Sequence, residues 1–325
     1  MPDPNLGQTT ASLWENVVGK KPTDNILNSR ALFYAMGEDG FKEQADGGSQ
    51  IEMSLEYATN TTFKSYGELE TLDTTRIDVF DAARYTWKIS AGTVVWSDLE
   101  QLRATAASRK FDVIAEKLEN GKDSLINTLN SQMWSDGTGN SSKDIGGLQY
   151  LISTTPTTGT VGGVSRDNFS FWRNIQTSGT QTSSDFDNLR ASMRSVYAQC
   201  SRGGSNEAPT AAITTRTVFL GYQSLLVPNE RFAKADKPRG GDLGWKQDAI
   251  QFNGADVFYD EDAPSGNLYF VNPKFMKLVY LKGGWMKMKD KIEPYNQLAA
   301  VQRVFTIANM ATNNSRRLGV VSSIT

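Results

Sequence analysis

The chain has 325 residues, 38% of them apolar and 22% charged, a balance typical of a globular protein long enough for two domains. Its 34 basic residues nearly match its 36 acidic ones, and the net charge of −2 argues against a protein that coats nucleic acid. The absence of histidine removes Ser-His-Asp and Cys-His catalysis and most zinc sites. Cys200 is the single cysteine, so no intramolecular disulfide can form and we expect a reducing compartment.

The start of the chain, MPDPNLGQTT, has neither the basic nor the apolar region of a signal peptide. No apolar run reaches about 18 residues, so we expect no membrane span. Residues 1–45 include Pro2, Pro4 and Pro22 and are interpreted as an extended arm. Such an arm must pack on another surface to be ordered.

Residues 46–96 have the pattern of a long β-hairpin with a wide polar tip. Apolar and polar residues alternate along its first strand, with the apolar ones at Ile51, Met53, Leu55 and Tyr57. The returning strand alternates in the same way at Tyr85, Trp87 and Ile89. Between them lies a stretch rich in Thr, Asn and Gly that carries one lysine, Lys64. Because a two-stranded hairpin is marginal alone in water, we predict that it lies on another surface.

A long helix is predicted over residues 108–136. Its apolar residues form one stripe at helical spacing, made of Phe111, Ile114, Leu118, Leu125, Leu129 and Met133. A helix of about 28 residues would be about 42 Å long. Gly121 costs such a helix about 1 kcal/mol relative to alanine and is a candidate bend.

A mixed region follows the long helix. Helices are predicted over 185–199 and 216–226, with a short buried strand at 211–213 between them. Residues 229–247 are charged and rich in glycine and are interpreted as mobile. The later residues alternate mainly as strands, up to 301–307.

The sequence offers no convincing active site, and no metal or cofactor is expected. Asp260-Glu261-Asp262 is the densest acidic cluster and could bind a cation or act as a carboxylate pair. A solvated turn is favoured, because the cluster lacks EF-hand spacing and precedes Pro264. Cys200 has no histidine to activate it and is interpreted as an inert thiol. Gly137-Thr138-Gly139 follows a helix and not a strand, so it fails as a dinucleotide fingerprint.

The order of these parts resembles the tailed-bacteriophage major capsid protein of the Hong Kong 97 type. That order is an arm, a long hairpin, a long helix, a glycine-rich turn, a mixed region and late strands. The local order of elements also resembles that family. Residues 189–226 have the pattern of a helix, a short strand and a helix, and 252–271 that of a strand, a Pro-Ser-Gly turn and an aromatic strand. The late stretch 297–321, with Arg316-Arg317-Leu318-Gly319-Val320, looks like that family's closing segment.

The resemblance implies an α+β fold with the family's domains. Residues 1–45 would be the N-terminal arm, and 46–96 the extended E-loop hairpin. The hairpin residues that would contact a neighbouring subunit are Ile51, Met53, Leu55, Tyr57, Lys64, Tyr85, Trp87 and Ile89. Residues 97–145 would belong to the P-domain with its spine helix, 146–281 to the A-domain, and 282–325 to the closing strands of the P-domain.

The function implied by the resemblance is self-assembly, as pentamers and hexamers, into an icosahedral head around double-stranded DNA that is bound without sequence specificity. The implied partners are further copies of the chain, a portal protein, and a scaffolding protein that is separate or absent, since the arm starts within the first fifty residues. No membrane is implied, and the head would assemble in the host cytoplasm. Two alternatives stay open: an encapsulin-like nanocompartment shell, and a soluble hydrolase that uses Asp and Glu.

One member of that family joins its subunits through an isopeptide bond between a hairpin lysine and a P-domain asparagine. Lys64 is the only lysine in 46–87, and Asn309, Asn313 and Asn314 lie in the matching late segment. The resemblance therefore raises a Lys64–asparagine cross-link as a hypothesis.

Overall fold

The computed structural model describes residues 31–33, 41–99, 113–181, 187–202, 204, 207–226 and 250–324. Its strands are β1 Lys42–Ala45, β2 Gln50–Glu56, β3 Phe80–Thr86, β4 Lys88–Ser97, β5 Thr160–Val161, β6 Val164–Ser165, β7 Ile175–Gln181, β8 Ala211–Thr214, β9 Ile250–Phe252, β10 Ala255–Tyr259, β11 Leu268–Val271, β12 Met276–Leu281, β13 Lys287–Met288, β14 Ala299–Thr312 and β15 Gly319–Ile324. Its helices are α1 Val113–Trp134, α2 Leu148–Leu151, α3 Asp187–Ser201 and α4 Arg216–Leu226. The fold is α+β, as predicted.

A five-stranded sheet is built around β14. Strand β4 pairs antiparallel with one edge of β14, from Ala299 opposite Ser97 to Ala308 opposite Lys88. Strands β12 and β13 share the other edge, and β1 pairs parallel to β12. The end of the predicted arm is therefore a sheet strand, and three of its four residues are polar. The carboxylate of Glu43 forms an ion pair with the ammonium group of Lys277 on β12 at 2.7 Å. Residues 1–30 and 34–40 lie outside the described residues.

Helix α1 packs across one face of this sheet, where β4 and β14 run side by side. Leu125, Leu129 and Met133 of the predicted stripe are buried, and Ile114 and Leu118 are half-buried. Phe111 and the predicted start of the helix lie outside the described residues.

Gly121 marks a close approach of α1 to the sheet. A Cβ atom at this position would overlap Cγ2 of Val94 on β4. The glycine that looked like a bend in the sequence thus lets the helix backbone approach the β4 side chains. Helix propensity alone would predict a gain from alanine here.

We predict that Gly121→Ala lowers the free energy of unfolding by about 1–3 kcal/mol, because overpacking outweighs the gain in helix propensity. Val94→Ala in the same chain removes the overlapping methyl groups and is expected to recover most of that loss. Urea denaturation of the two single variants and the double variant measures the coupling. Additive effects of the two substitutions would contradict the proposed contact.

A six-stranded sheet in the order β7-β15-β11-β8-β10-β9 forms the second layer of the molecule. Helices α3 and α4 cover it through an apolar cluster that includes Leu189, Met193 and Val196 from α3 and Val218 and Phe219 from α4. The predicted buried strand is confirmed as β8, whose four residues are all buried. The predicted helix over 216–226 is confirmed as α4. Residues 229–247 lie outside the described residues.

Two strand pairings cross the predicted boundary at residue 281 between the A-domain and the closing strands of the P-domain. Strand β12, which was placed in the A-domain, pairs with β14 in the five-stranded sheet. Strand β15, which was placed among the closing strands of the P-domain, lies between β7 and β11 in the six-stranded sheet. Long-range pairing decides both placements, and residue alternation carries no information about the partner strand.

Candidate assembly surfaces

The base of the hairpin is buried against its own chain. Strands β2 and β3 pair antiparallel, with Ile51 opposite Tyr85 and Leu55 opposite Asp81. Ile51, Leu55 and Tyr85 are 5%, 5% and 3% exposed and belong to the main apolar core, while Met53 is half-buried against that core. The prediction that this face waits for a neighbouring subunit is therefore wrong for these residues, because the body of the same chain already covers them.

Polar contacts fix the hairpin base in place. The Tyr85 hydroxyl donates to the carbonyl of Thr312 at 2.9 Å, and the amide of Thr312 donates back to it at 3.3 Å. The amide of Arg84 donates to the carbonyl of Gly162 at 2.8 Å. Gly162 has φ +60°, and a Cβ there would lie 2.9 Å from Ala83 and Tyr85, so a side chain would push the hairpin away.

The returning strand is shorter than predicted. Trp87 lies between β3 and β4 and belongs to neither strand, and its indole nitrogen donates to the carbonyl of Gly48 at 2.9 Å. Ile89 is not on the hairpin: it lies on β4 opposite Ile307 and is 64% exposed. The apolar alternation in the sequence runs through Trp87 without a gap and therefore does not indicate the change of sheet.

The hairpin tip, residues 57–80, carries large exposed apolar side chains, although the sequence predicted a polar tip. Its large exposed residues are Phe63 at 86%, Leu69 at 99%, Leu72 at 64% and Phe80 at 73%. Tyr57 is 37% exposed at the start of the tip and packs on Phe171 with ring centroids 6.1 Å apart. The many Thr residues made the tip look polar, although Phe63, Leu69 and Leu72 were visible in the sequence of this stretch.

A second exposed apolar surface lies on the five-stranded sheet, on the face opposite α1. We call it the outer ribbon face and define it by Ile89, Ala91 and Val95 of β4 and Val301, Phe305 and Ile307 of β14. The residues that alternate with these on β4 and β14, such as Val94 and Val304, point their side chains toward α1 or into the core. The described residues leave Ile89 64% and Val95 51% exposed on this face.

Asn309, one of the three asparagines in the cross-link hypothesis, is a poor candidate for that bond. Asn309 is buried, and its side-chain amide donates to the carbonyl of Thr86 at 2.8 Å. Its side-chain oxygen accepts from the amides of Gly146 and Met310. Asn309 is thus committed to holding the hairpin base, and Lys64 lies 5.1 Å over the ring of Tyr66 at the tip.

The acidic triplet lies at a turn, as predicted, but its first carboxylate, Asp260, is not solvated. Asp260 is fully buried, and its carboxylate accepts from the amides of Leu32 at 2.8 Å and Asp262 at 2.9 Å. The buried side chain of Asn130 on α1 donates to Asp260 and Asp262 and accepts from the amide of Phe33. Burial raises the pKa of Asp260, while the hydrogen bonds to Leu32, Asp262 and Asn130 lower it and the nearby carboxylate of Asp262 raises it further. The prediction was wrong because the partners of Asp260 lie about 130 and 230 residues away.

The other candidate for chemistry, the thiol of Cys200, is buried. Burial raises the pKa of the Cys200 thiol to about 12, so the thiolate that a nucleophile needs is strongly disfavoured. Among the described residues no cluster of three Cys, Asp or Glu side chains could hold a metal ion. Within the same residues, no helix is both long and apolar enough to cross a bilayer.

The two sheets, the spine-like α1 and the projecting hairpin define the capsid-protein fold of the Hong Kong 97 type. No family model matches the sequence, and no curated protein is similar to it. The chain is similar to a subunit of the cyanophage A-1(L) capsid, with a TM-score of 0.72, 16% identity, and 98% of this chain and 99% of that chain covered. It is similar to the capsid of the native GTA particle, with a TM-score of 0.65, 12% identity and both chains fully covered. It is also similar to the SrpI encapsulin of Synechococcus elongatus, with a TM-score of 0.60, 9% identity and 97% and 95% covered. The predicted fold is therefore confirmed over nearly the whole chain.

Proposed function

We propose that this chain is the major capsid protein of a tailed bacteriophage, and that it assembles as pentamers and hexamers into an icosahedral head around double-stranded DNA. The observation that carries the proposal is the hairpin tip, whose Phe63, Leu69 and Leu72 are 86%, 99% and 64% exposed in a single chain. Large apolar groups gathered in this way on a projecting element mark an interaction surface. The likeness to capsid subunits along the full chain supports the same function.

The proposed partners follow from that function. Other copies of the chain would cover the tip, a portal protein would occupy one vertex, and a separate scaffolding protein, if present, would guide closure. The near-neutral net charge of −2 suits a subunit whose main partners are copies of itself and whose DNA is held without sequence readout. The finished particle would form in the host cytoplasm and become the virion shell.

We expect the purified chain to form capsomers or closed shells of megadalton size. Sedimentation velocity and negative-stain electron microscopy, over a range of salt concentrations, measure this directly. A chain that stays monomeric at high concentration, also when co-expressed with a scaffolding protein, contradicts the proposal.

An encapsulin-like nanocompartment is the second candidate, favoured by the likeness to the SrpI encapsulin. The two candidates differ in what the particle contains. Nuclease-protected DNA in particles purified from infected or induced cells supports the phage head, whereas a stoichiometric cargo protein without DNA supports the nanocompartment. The hydrolase alternative is less favoured, because Asp260, one of its candidate carboxylates, is buried and accepts a hydrogen bond from the amide of Leu32.

A further inference from the structure

Residues 31–33 are buried, although they precede every described strand of the chain. Ala31, Leu32 and Phe33 are 5%, 0% and 7% exposed and belong to the main apolar core. Two layers of the molecule enclose them: the six-stranded sheet, and the five-stranded sheet with α1 on it.

The six-stranded sheet holds these residues through Asp260. The backbone of Asp260 continues β10, since its amide donates to the carbonyl of Thr214 at 3.0 Å. Its fully buried carboxylate accepts from the amide of Leu32 at 2.8 Å. A hydrogen bond therefore joins residues 31–33 to the end of a strand in this sheet.

The layer of α1 and the five-stranded sheet holds the same residues from another side. The amide of Phe33 donates at 2.9 Å to the side-chain oxygen of Asn130, which is fully buried on α1. The ring of Phe33 is stacked on that of Trp285, with centroids 5.9 Å apart and an angle of 8° between the planes. Trp285 is positioned next to β14, because the amide of Ile307 donates to the carbonyl of Gly284 at 2.8 Å.

Asn130 and Asp260 also bond to each other across the boundary between the layers. The side-chain nitrogen of Asn130 donates to the carboxylates of Asp260 at 3.3 Å and Asp262 at 2.8 Å. An apolar contact joins the same two layers, between the rings of Trp134 on α1 and Tyr269 on β11, whose centroids are 5.8 Å apart. Apolar contact has no preferred direction and tolerates sliding, whereas hydrogen bonds fix the relative position of the layers.

We propose that residues 31–33, Asn130 and Asp260 form a clamp that holds the two layers in one arrangement, and that release of residues 31–33 frees the turn 260–263 to move relative to α1. Release would remove the Leu32 amide from Asp260 and the Phe33 amide from Asn130. Among the described residues no other donor reaches the side-chain oxygen of Asn130. Because a buried polar atom without a partner is costly, water would then enter between the layers. The clamp is a property of the single subunit and does not depend on the proposed function.

Amide hydrogen exchange of Phe33→Ala under native conditions tests the clamp. The substitution removes the ring that is stacked on Trp285 and leaves Asp260 and Asn130 unchanged. We expect exchange in peptides that cover 260–263 to become faster by about tenfold or more, because loosened residues 31–33 no longer hold Asp260. If residues 31–33 only fill space beside Trp285, faster exchange stays confined to the five-stranded layer.

Phe41→Ala is the matched control. Phe41 is 8% exposed, and its carbonyl accepts from the amide of Leu278 at 2.7 Å in the five-stranded sheet. The control removes the same kind of side chain from the same part of the chain. It should make exchange faster around β1 and β12 and leave 260–263 within about twofold of the wild type.

A second pair of variants tests the hydrogen bonds of the clamp. Asn130→Asp places a third carboxylate beside Asp260 and Asp262, and we expect faster exchange at both 31–33 and 260–263. Adding Asp260→Asn restores one amide opposite one carboxylate and should recover most of the protection in both segments.

Wild type and variants are compared in the same assembly state, as measured by sedimentation velocity. Exchange in β8, whose four residues are buried, corrects for global unfolding. The proposal is overturned if 260–263 exchanges at the wild-type rate in folded Phe33→Ala, or equally fast in Phe33→Ala and Phe41→Ala. A combined Asn130→Asp and Asp260→Asn chain that exchanges no more slowly than Asn130→Asp alone also overturns it.

Discussion

Removal of the hairpin tip from Asn60 to Thr74, with the strands rejoined through a short glycine-containing turn, is expected to leave the chain folded and unable to close shells. The deleted stretch contains Phe63, Leu69 and Leu72, which are largely exposed in one copy. Burying each such side chain between copies is worth about 1.5–3 kcal/mol, offset in part by ordering of the tip. This free energy stabilises the assembled shell and not the fold of the single chain, because these side chains are exposed in one copy.

The fold should survive because the hairpin base is held independently of the tip. Seven residue pairs join β2 to β3, and the base is bound to the body through Tyr85, Arg84 and Asn309. Circular dichroism and urea denaturation measure the fold, and sedimentation velocity with electron microscopy measures assembly. Leu69→Asn with Leu72→Asn is a milder version, and Thr71→Asn between them is its control. Shells of normal size from the shortened chain would mean that the tip is not an inter-subunit element.

Asp260→Ala is expected to have the second large effect, this time on the single chain. The substitution leaves the buried amide of Leu32 and the half-buried amide of Asp262 without their acceptor, at about 1–3 kcal/mol for each buried donor that finds no other partner. It also removes one anchor of the Asn130 side chain. Urea denaturation of a non-assembling, tip-deleted chain measures the loss, and Glu261→Ala, at an exposed neighbouring carboxylate, is the control.

The pH dependence of this loss has a defined sign. Because burial raises the pKa of Asp260 in the folded chain, its protonated form is favoured by folding. Its contribution to stability is complete below the pKa of the unfolded state, near 4, and decreases as the pH rises through the folded pKa. The difference in unfolding free energy between wild type and Asp260→Ala should therefore be larger at pH 4 than at pH 7. A difference that grows with pH would contradict the assigned direction.

The sequence-based prediction succeeded for elements whose residue pattern is set by one buried face. The stripe that contains Leu125, Leu129 and Met133 predicted α1, and the alternation of Ile51 and Leu55 predicted β2, because one covered face imposes its period on the sequence. The order of these elements was enough to suggest the fold.

The failures concern contacts between distant parts of the chain. Asp260 looked solvated beside Pro264, whereas its partners come from Leu32 and Asn130. Ile89 looked like a hairpin residue, yet its strand pairs with β14 more than 200 residues later. Apolar residues at the tip gave no periodic signal, because an unpaired loop has no face to repeat.

The position of β15 affects the order in which folding and assembly take place. This strand is the last described strand of the chain, yet it lies between β7 and β11 and is the only described sheet partner of β7. A chain emerging from the ribosome cannot complete the six-stranded sheet until residues 319–324 are free. Such late, non-local pairing slows folding relative to local contacts. During synthesis the hairpin tip is thus exposed well before the rest of its subunit is finished, which makes nascent chains on one messenger vulnerable to premature association.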